Sequence, residues 1–376
     1  MAGYRDMGHM GHMGHMGHMG HMGHMGHANM AHARLVGYDS SAMSAALITL
    51  RDAQVGPYEQ PASHPRHLDL DKVDNLTYWY PPVRASLILF DVMQSLEFKA
   101  DAQAFTLVDR TLLSAGRPAL IVKLHRPAET VFVKQMQFVH NYAYLRSDRL
   151  NEILMQLPGP TDFLASMSFM RPERARWLME LLDVTQSIVQ FIQNRFKHAL
   201  ACRRPIEYSP QVQPMILTPG HGSFPSGHAT EAYAMARVVL GVLGRASNYS
   251  EAVMKPIRKQ VYALAARIAE NRMVAGVHFP IDSIAGAGLG IAIGDYLLAR
   301  MFQPTPPNTQ TQATKIEFGA AHLNGGDIDF EADQILNDET GATKPSGYLR
   351  FSPVNGVSLS EPLEWLAQQA RTEQAR

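Results

Sequence analysis

Apolar residues recur at three- and four-residue steps through the middle of the chain. Over 171–201, Trp177, Leu178, Leu181, Leu182, Val184, Ile188, Val189, Ile192 and Phe196 keep that spacing, which lines one face of a helix. Pro172 and Glu173 suit its first turn. The same periodicity predicts helices over 127–146, 229–243, 250–269 and 280–301. In the last of these Gly286, Gly290 and Gly294 fall four apart and leave a smooth face that another helix can approach closely.

Elsewhere the pattern is less regular. Residues 35–126 mix turn punctuation ("GPYEQPASHPRH", "YPPV", "AGRP") with short apolar runs such as "ASLILFDVM" and "PALIVKL". Such runs fit a strand or a helix equally. The aromatic cluster Tyr78, Trp79 and Tyr80 reads as packing this segment onto the core, with a substrate lip as the other option. From Gln303 onward Pro, Thr, Asn, Gly and Asp predominate, which predicts loops. "DIDFEADQILND" has the look of a calcium loop, but Ala332 stands where the EF-hand turn needs Gly and no Glu closes it. A solvated acidic loop is the better reading.

At the N-terminus Met-Gly-His repeats seven times over 7–27. A period of three matches neither helix nor strand, and the regular glycines add backbone entropy, so the repeat is expected to be disordered. Its imidazoles and thioethers suit copper or nickel; a tail that only solubilises is the plainer reading.

These patterns predict a mainly α protein, a helical bundle with its chemistry between helices, an irregular N-terminal segment and a loop-rich C-terminal tail. The expected organisation is a disordered repeat at 1–34 and a mixed segment packed on the core at 35–126. A helical catalytic domain follows at 127–302, then a loop-rich extension at 303–376.

Composition narrows the function. Lys and Arg number 34 against 34 for Asp and Glu, so no global field draws nucleic acid or an anionic membrane. Any anion must be bound by a local cluster. Cys202 is the only cysteine, which excludes an intrachain disulfide and a cysteine-based zinc site. No secretory signal is seen. The most apolar stretch, 281–301, carries Asp282, Asp295 and Arg300. A soluble, cytoplasmic protein without a membrane span is expected.

Three clusters carry candidate chemistry. In "HGSFPSGHAT" Ser226 is placed to cap a helix and Gly227 to let backbone approach a ligand. The first N–H groups of that helix point outward with the positive end of its dipole, which suits an oxyanion. His228, on the first turn, is placed to hand over a proton, and His221 lies in the loop before it. Upstream, Lys197 and Arg204 lie seven residues apart and share a face if the helix persists that far. Together an ammonium and a guanidinium neutralise a dianion; Arg203 is equally the solvated one of the pair. Downstream, "NRMVAGVHFPID" holds Arg272, His278 and Asp282. Four residues beyond His278, Asp282 can accept from one ring nitrogen and leave the other nucleophilic.

In order, "KHALACRRP", "PSGH" and "NRMVAGVHFPID" closely resemble the signature KxxxxxxRP, PSGH, SRxxxxxHxxxD of the type 2 phosphatidic acid phosphatase superfamily. That superfamily includes bacterial acid phosphatases and vanadium-dependent haloperoxidases. The spacing is intact; the one departure is Asn271 where the pattern has Ser. The resemblance implies that Lys197, Arg204 and Arg272 hold an anion's oxygens, with Ser226 and the Gly227 N–H completing the cradle. It implies His278 as the nucleophile of a phosphomonoester hydrolase, forming a phosphohistidine. Asp282 would orient that ring, and His228 would protonate the leaving alcohol and then activate water. That route takes a small-molecule phosphate ester and needs no cofactor. The alternative is a haloperoxidase that uses vanadate as cofactor, with His278 as the axial vanadium ligand and hydrogen peroxide and halide as substrates. None of the matched residues separates the two activities, and oligomeric state is not legible.

Overall fold

The computed structural model describes residues 41–114, 116–167, 170, 173–246, 250–303, 313–319, 328–333, 335 and 348–375. The Met-Gly-His repeat, with the whole of 1–34, lies outside them, as do 327, 334 and 336–338 of the acidic stretch. Among the described residues the longer elements run in this order: α1 Ser41–Gln54, α2 Pro81–Gln94, β1 Leu96–Ala100, β2 Ala104–Ser114, β3 Arg117–His125, α3 Glu129–Tyr142, α4 Arg146–Met155, α5 Thr161–Met167 and α6 Arg176–Leu200. They continue with α7 Pro205–Tyr208, α8 Gly227–Ala246, α9 Glu251–Val274, α10 Pro280–Met301, β4 Ala313–Phe318, β5 Leu349–Val354 and α11 Glu361–Gln374.

The predicted helices form. α6 starts at Arg176, past Glu173, while Pro172 is outside the described residues. Its apolar stripe, Leu178, Leu181, Leu182, Ile188, Val189, Ile192 and Phe196, is buried. α9 runs on to Val274, five residues beyond its predicted end, and so carries Asn271 and Arg272 on helical backbone.

α10 is the centre of the molecule. It is the one helix among the described residues long and apolar enough to cross a membrane, and it lies wholly inside the fold. A helix apolar on every side needs cover on every side. α8 supplies it along the glycine face. A methyl at Gly286 would come within 2.6 Å of the Ser226 carbonyl oxygen, and one at Gly294 within 2.6 Å of Arg237 Cβ. The charges of α10 are paired: Asp295 with Arg237 at 2.6 Å, and Arg300 with Asp91 at 3.3 Å.

The other cover is a sheet, and it corrects the expectation of a helical bundle flanked by irregular segments. The protein is helical with a five-stranded mixed sheet in the order β1-β2-β3-β4-β5. β1, β2 and β3 form an antiparallel meander, β4 adds parallel to β3, and β5 closes antiparallel on β4. The ambiguous run "PALIVKL" is β3. β4 comes from the stretch expected to be loop, where Ala313, Ile316 and Phe318 are buried. β5 carries Pro353, tolerated because it is an edge strand. Tyr296 of α10 donates to Asp109 of β2 at 2.9 Å, tying sheet to core. α11 was likewise not expected; its Ser360 cap accepts from the Leu363 N–H, and Trp365 meets Trp177 of α6 edge to face at 5.5 Å. The aromatic cluster does not pack inward: Tyr78, Trp79 and Tyr80 are exposed.

Candidate active site

The three clusters converge where α6 ends and α8 and α10 begin. α6 stops because Ala201 takes a left-handed conformation at φ 48°. The condition for a shared helix face, that the helix persists to Arg204, is therefore not met: Arg204 is the N-cap of α7, which Pro205 opens. The two cations meet through the fold instead of along one helix face. Arg203 faces solvent and pairs with Glu207 at 3.2 Å.

At the start of α10 a single carboxylate oxygen does several things. Asp282 Oδ2 accepts from the Phe279 N–H at 2.9 Å, closing the first turn in the manner of a capping box. It also accepts from Ser223 Oγ at 2.5 Å and lies 3.0 Å from His278 Nδ1. Arg204 Nη1, a donor only, lies 3.0 Å from His278 Nε2. Nε2 must therefore accept, and Nδ1 carries the proton toward Asp282. Burial pushes the His278 imidazole well below its ordinary pKa, and the charges of Arg204, Lys197, His228 and His221 add to this. The ring is neutral, in one tautomer, with its unprotonated nitrogen facing a guanidinium. Burial also raises Asp282 above the usual aspartate range, against the bonds from Ser223 and Phe279 and the charges of Lys197 and Arg204.

The cations are buried too. Arg204 donates Nε to the His221 carbonyl at 3.0 Å and Nη1 to that of Val277 at 2.7 Å, and its Nη2 lies 3.1 Å from His221 Nδ1. Burial brings it down to about 10. Lys197 Nζ donates to the carbonyls of Gly222, Ser223 and Pro225 at 3.3, 3.2 and 2.5 Å, so it braces the loop that precedes α8. Burial, and then Arg204, depress it well below its ordinary value. Arg272 sits at the end of α9 with Nη2 donating to Gln156 Oε1 at 2.9 Å and to the Ile153 carbonyl at 3.3 Å. Its Nε and Nη1 are buried without a partner, and burial brings it to about 10.

α8 begins at Gly227, but Ser226 does not cap it as expected. Its Oγ is buried and has no partner, while its backbone N–H donates to the Asp282 carbonyl at 2.8 Å. That bond fixes the start of α8 against the start of α10. The half-buried His228 donates Nε2–H to the Gln156 carbonyl at 3.1 Å, since a carbonyl only accepts.

Sequence reasoning passed over Ser223, Gln156 and Glu231. Ser223 lies inside the quoted stretch; its neighbour Ser226 drew attention through the helix start. Glu231, buried on α8, accepts from Gln186 and Gln193 of α6 at 2.9 and 2.8 Å, and burial raises it to about 7. Only the polar spacing of 186, 190, 193 and 197 along α6 hints at it.

Buried cations thus surround a neutral, oriented imidazole, an arrangement whose charge suits an oxyanion. Residues 182–305 match the family model of the PAP2 superfamily, which supports the resemblance to the type 2 phosphatidic acid phosphatase superfamily. Its members are generally phosphatases or haloperoxidases. No curated protein matches the chain.

Proposed function

We propose that the protein is a phosphomonoester hydrolase working through a phosphohistidine at His278. The observation that carries this reading is the pairing of Asp282 Oδ2 with His278 Nδ1 at 3.0 Å while Nε2 faces Arg204. A buried imidazole held in that tautomer is a nucleophile aimed at the place where the cations draw an anion.

The ester's phosphate lies in the cradle of Arg204, Arg272, Ser226 Oγ and the Gly227 N–H, with the Lys197 charge behind it. Arg272 and Ser226 have N–H and O–H groups to give without breaking a bond. Arg204 turns the N–H now on His278 toward a phosphate oxygen, which frees Nε2. Nε2 then attacks phosphorus as the ester P–O bond breaks, and His228 protonates the leaving oxygen. Its Nε2–H is engaged by the Gln156 carbonyl, so the transferred proton travels through Nδ1. Water then attacks phosphorus, His228 takes its proton, and the N–P bond breaks to release inorganic phosphate. Charge spread over the equatorial oxygens is met by preorganised donors.

Rapid-quench mass spectrometry with an aryl phosphate tests this directly. The expected result is a phosphorylated His278 peptide and phosphate release in the native protein, with both absent from a folded His278→Ala variant. Hydrolysis at the native rate by that variant overturns the assignment.

One observation favours a second reading, a vanadium haloperoxidase. His278, Arg204 and Lys197 are each 3% exposed or less, an enclosure that suits a small inorganic oxyanion with peroxide and halide. The unpartnered Arg272 and Ser226 donors and the Nε2 lone pair also fit vanadate. Bound there, vanadate would supply Lewis-acid activation of peroxide; His278 Nε2 would ligate it, Arg204 and Arg272 would hold its oxygens, and His228 would move protons.

A further inference from the structure

We infer that Gln156, just after α4, is a positioning residue that holds both Arg272 and His228 in the anion site. This rests on the cradle reading above and extends it to a part of the chain outside the matched 182–305. Gln156 is buried and caps the C-terminal end of α4. Its side-chain Oε1 accepts from Arg272 Nη2 at 2.9 Å and from Asn271 Nδ2 at 3.0 Å, and its main-chain carbonyl accepts from His228 at 3.1 Å. One residue therefore fixes an oxyanion-binding guanidinium on α9 and the proton-transferring ring on α8. Both contacts set orientation. Binding Nη2 leaves Arg272 Nε and Nη1 to face the anion, and binding His228 Nε2 fixes which nitrogen moves the proton.

α4 is itself anchored on several sides. Arg146 donates to the carbonyls of Val274, Gln213 and Val212 at 3.0, 2.8 and 2.9 Å. Arg267 of α9 binds Glu152 through two bonds of 2.8 Å each. The same arrangement accounts for Asn271 in place of Ser. Asn271 Nδ2 donates to both Glu152 Oε2 and Gln156 Oε1 at 3.0 Å, and its Oδ1 accepts from Arg149 Nη1 at 3.1 Å. A serine hydroxyl has one proton to donate and a shorter reach; it cannot make all three bonds. The departure from the family pattern and the α4 terminus form a single device.

The test is a double-mutant cycle on anion binding, read by calorimetry with inorganic phosphate and with vanadate, so that it does not depend on which reaction the site performs. Gln156→Ala is expected to weaken both at least tenfold. In an Arg272→Ala background the same change is expected to cost less than twofold, because its target is gone; a general packing role would cost the same in both. If Gln156→Ala melts below the assay temperature, Asn271→Ser takes its place in the cycle, with at least a threefold loss expected that vanishes without Arg272. Binding within twofold of the native protein, or an undiminished loss in the Arg272→Ala background, overturns the proposal alone. A native protein that binds neither anion overturns the cradle reading and this inference together.

Discussion

Asp282→Asn keeps the shape of the side chain and removes its charge. The amide oxygen can occupy the Oδ2 position and still accept from His278 Nδ1, Ser223 Oγ and the Phe279 N–H, so the ring keeps its tautomer. What disappears is the anion that faces the imidazole once Nε2 bears a phosphoryl group. A hydrogen bond to a charged group contributes about 1.5–3 kcal/mol. At about 1.4 kcal/mol per factor of ten, kcat should fall roughly 10- to 150-fold. Anion affinity should not weaken, because a negative neighbour of the phosphate has been removed.

Stability should move the other way. Burial raises Asp282 above its ordinary value of 3.8. An acid raised in the folded state binds more protons there than in the unfolded chain, so its contribution is intact below the unfolded value and is lost as pH rises through the interval above it. At pH 7 the asparagine removes that cost, and the melting temperature should hold or rise. In the native protein kcat/KM should decline on acidification as Asp282 takes up its proton, at a pH above 3.8, and the variant should lack that limb. Steady-state kinetics across pH, phosphate calorimetry and thermal melts report all of these. A variant with native kcat, or one whose lost turnover is matched by a large drop in melting temperature, refutes the reasoning.

Gly290→Ala should destabilise the protein by about 1–3 kcal/mol or more, because the new methyl meets the Thr230 carbonyl and stands 2.9 Å from Tyr233 Cβ; denaturant melts measure it, and native stability would refute the α8–α10 packing account. His221→Ala should raise KM roughly three- to tenfold with kcat nearly unchanged, since the ring contacts Arg204 and a lost polar partner is worth about 1 kcal/mol; unaltered KM and pH profile would make it an ordinary loop residue.

The helices were legible because burial imposes a periodicity that survives in the sequence, and α6 and α10 show it over many turns. The candidate site was legible because its three clusters hold particular side chains at fixed intervals on both sides of α8. The sheet was not. β1, β4 and β5 are short, and β3 finds its parallel partner far along the chain, with Val122 opposite Ile316, so no local pattern announces the pairing. Whether α6 reaches Arg204 was not legible, because nothing local shows that Ala201 turns left-handed. Gln156 carries no sequence signal at all, because what it does is defined by Arg272 and His228 on two other helices.

The sign of the vanadate effect tests the central claim most directly. A nucleophilic His278 must be free to attack, so vanadate, which mimics the five-coordinate transition state, should compete with substrate and inhibit aryl phosphate hydrolysis. Fast bromide oxidation on adding vanadate and peroxide, with phosphomonoesters untouched at acidic and neutral pH, would contradict the phosphatase account while leaving the cradle in place.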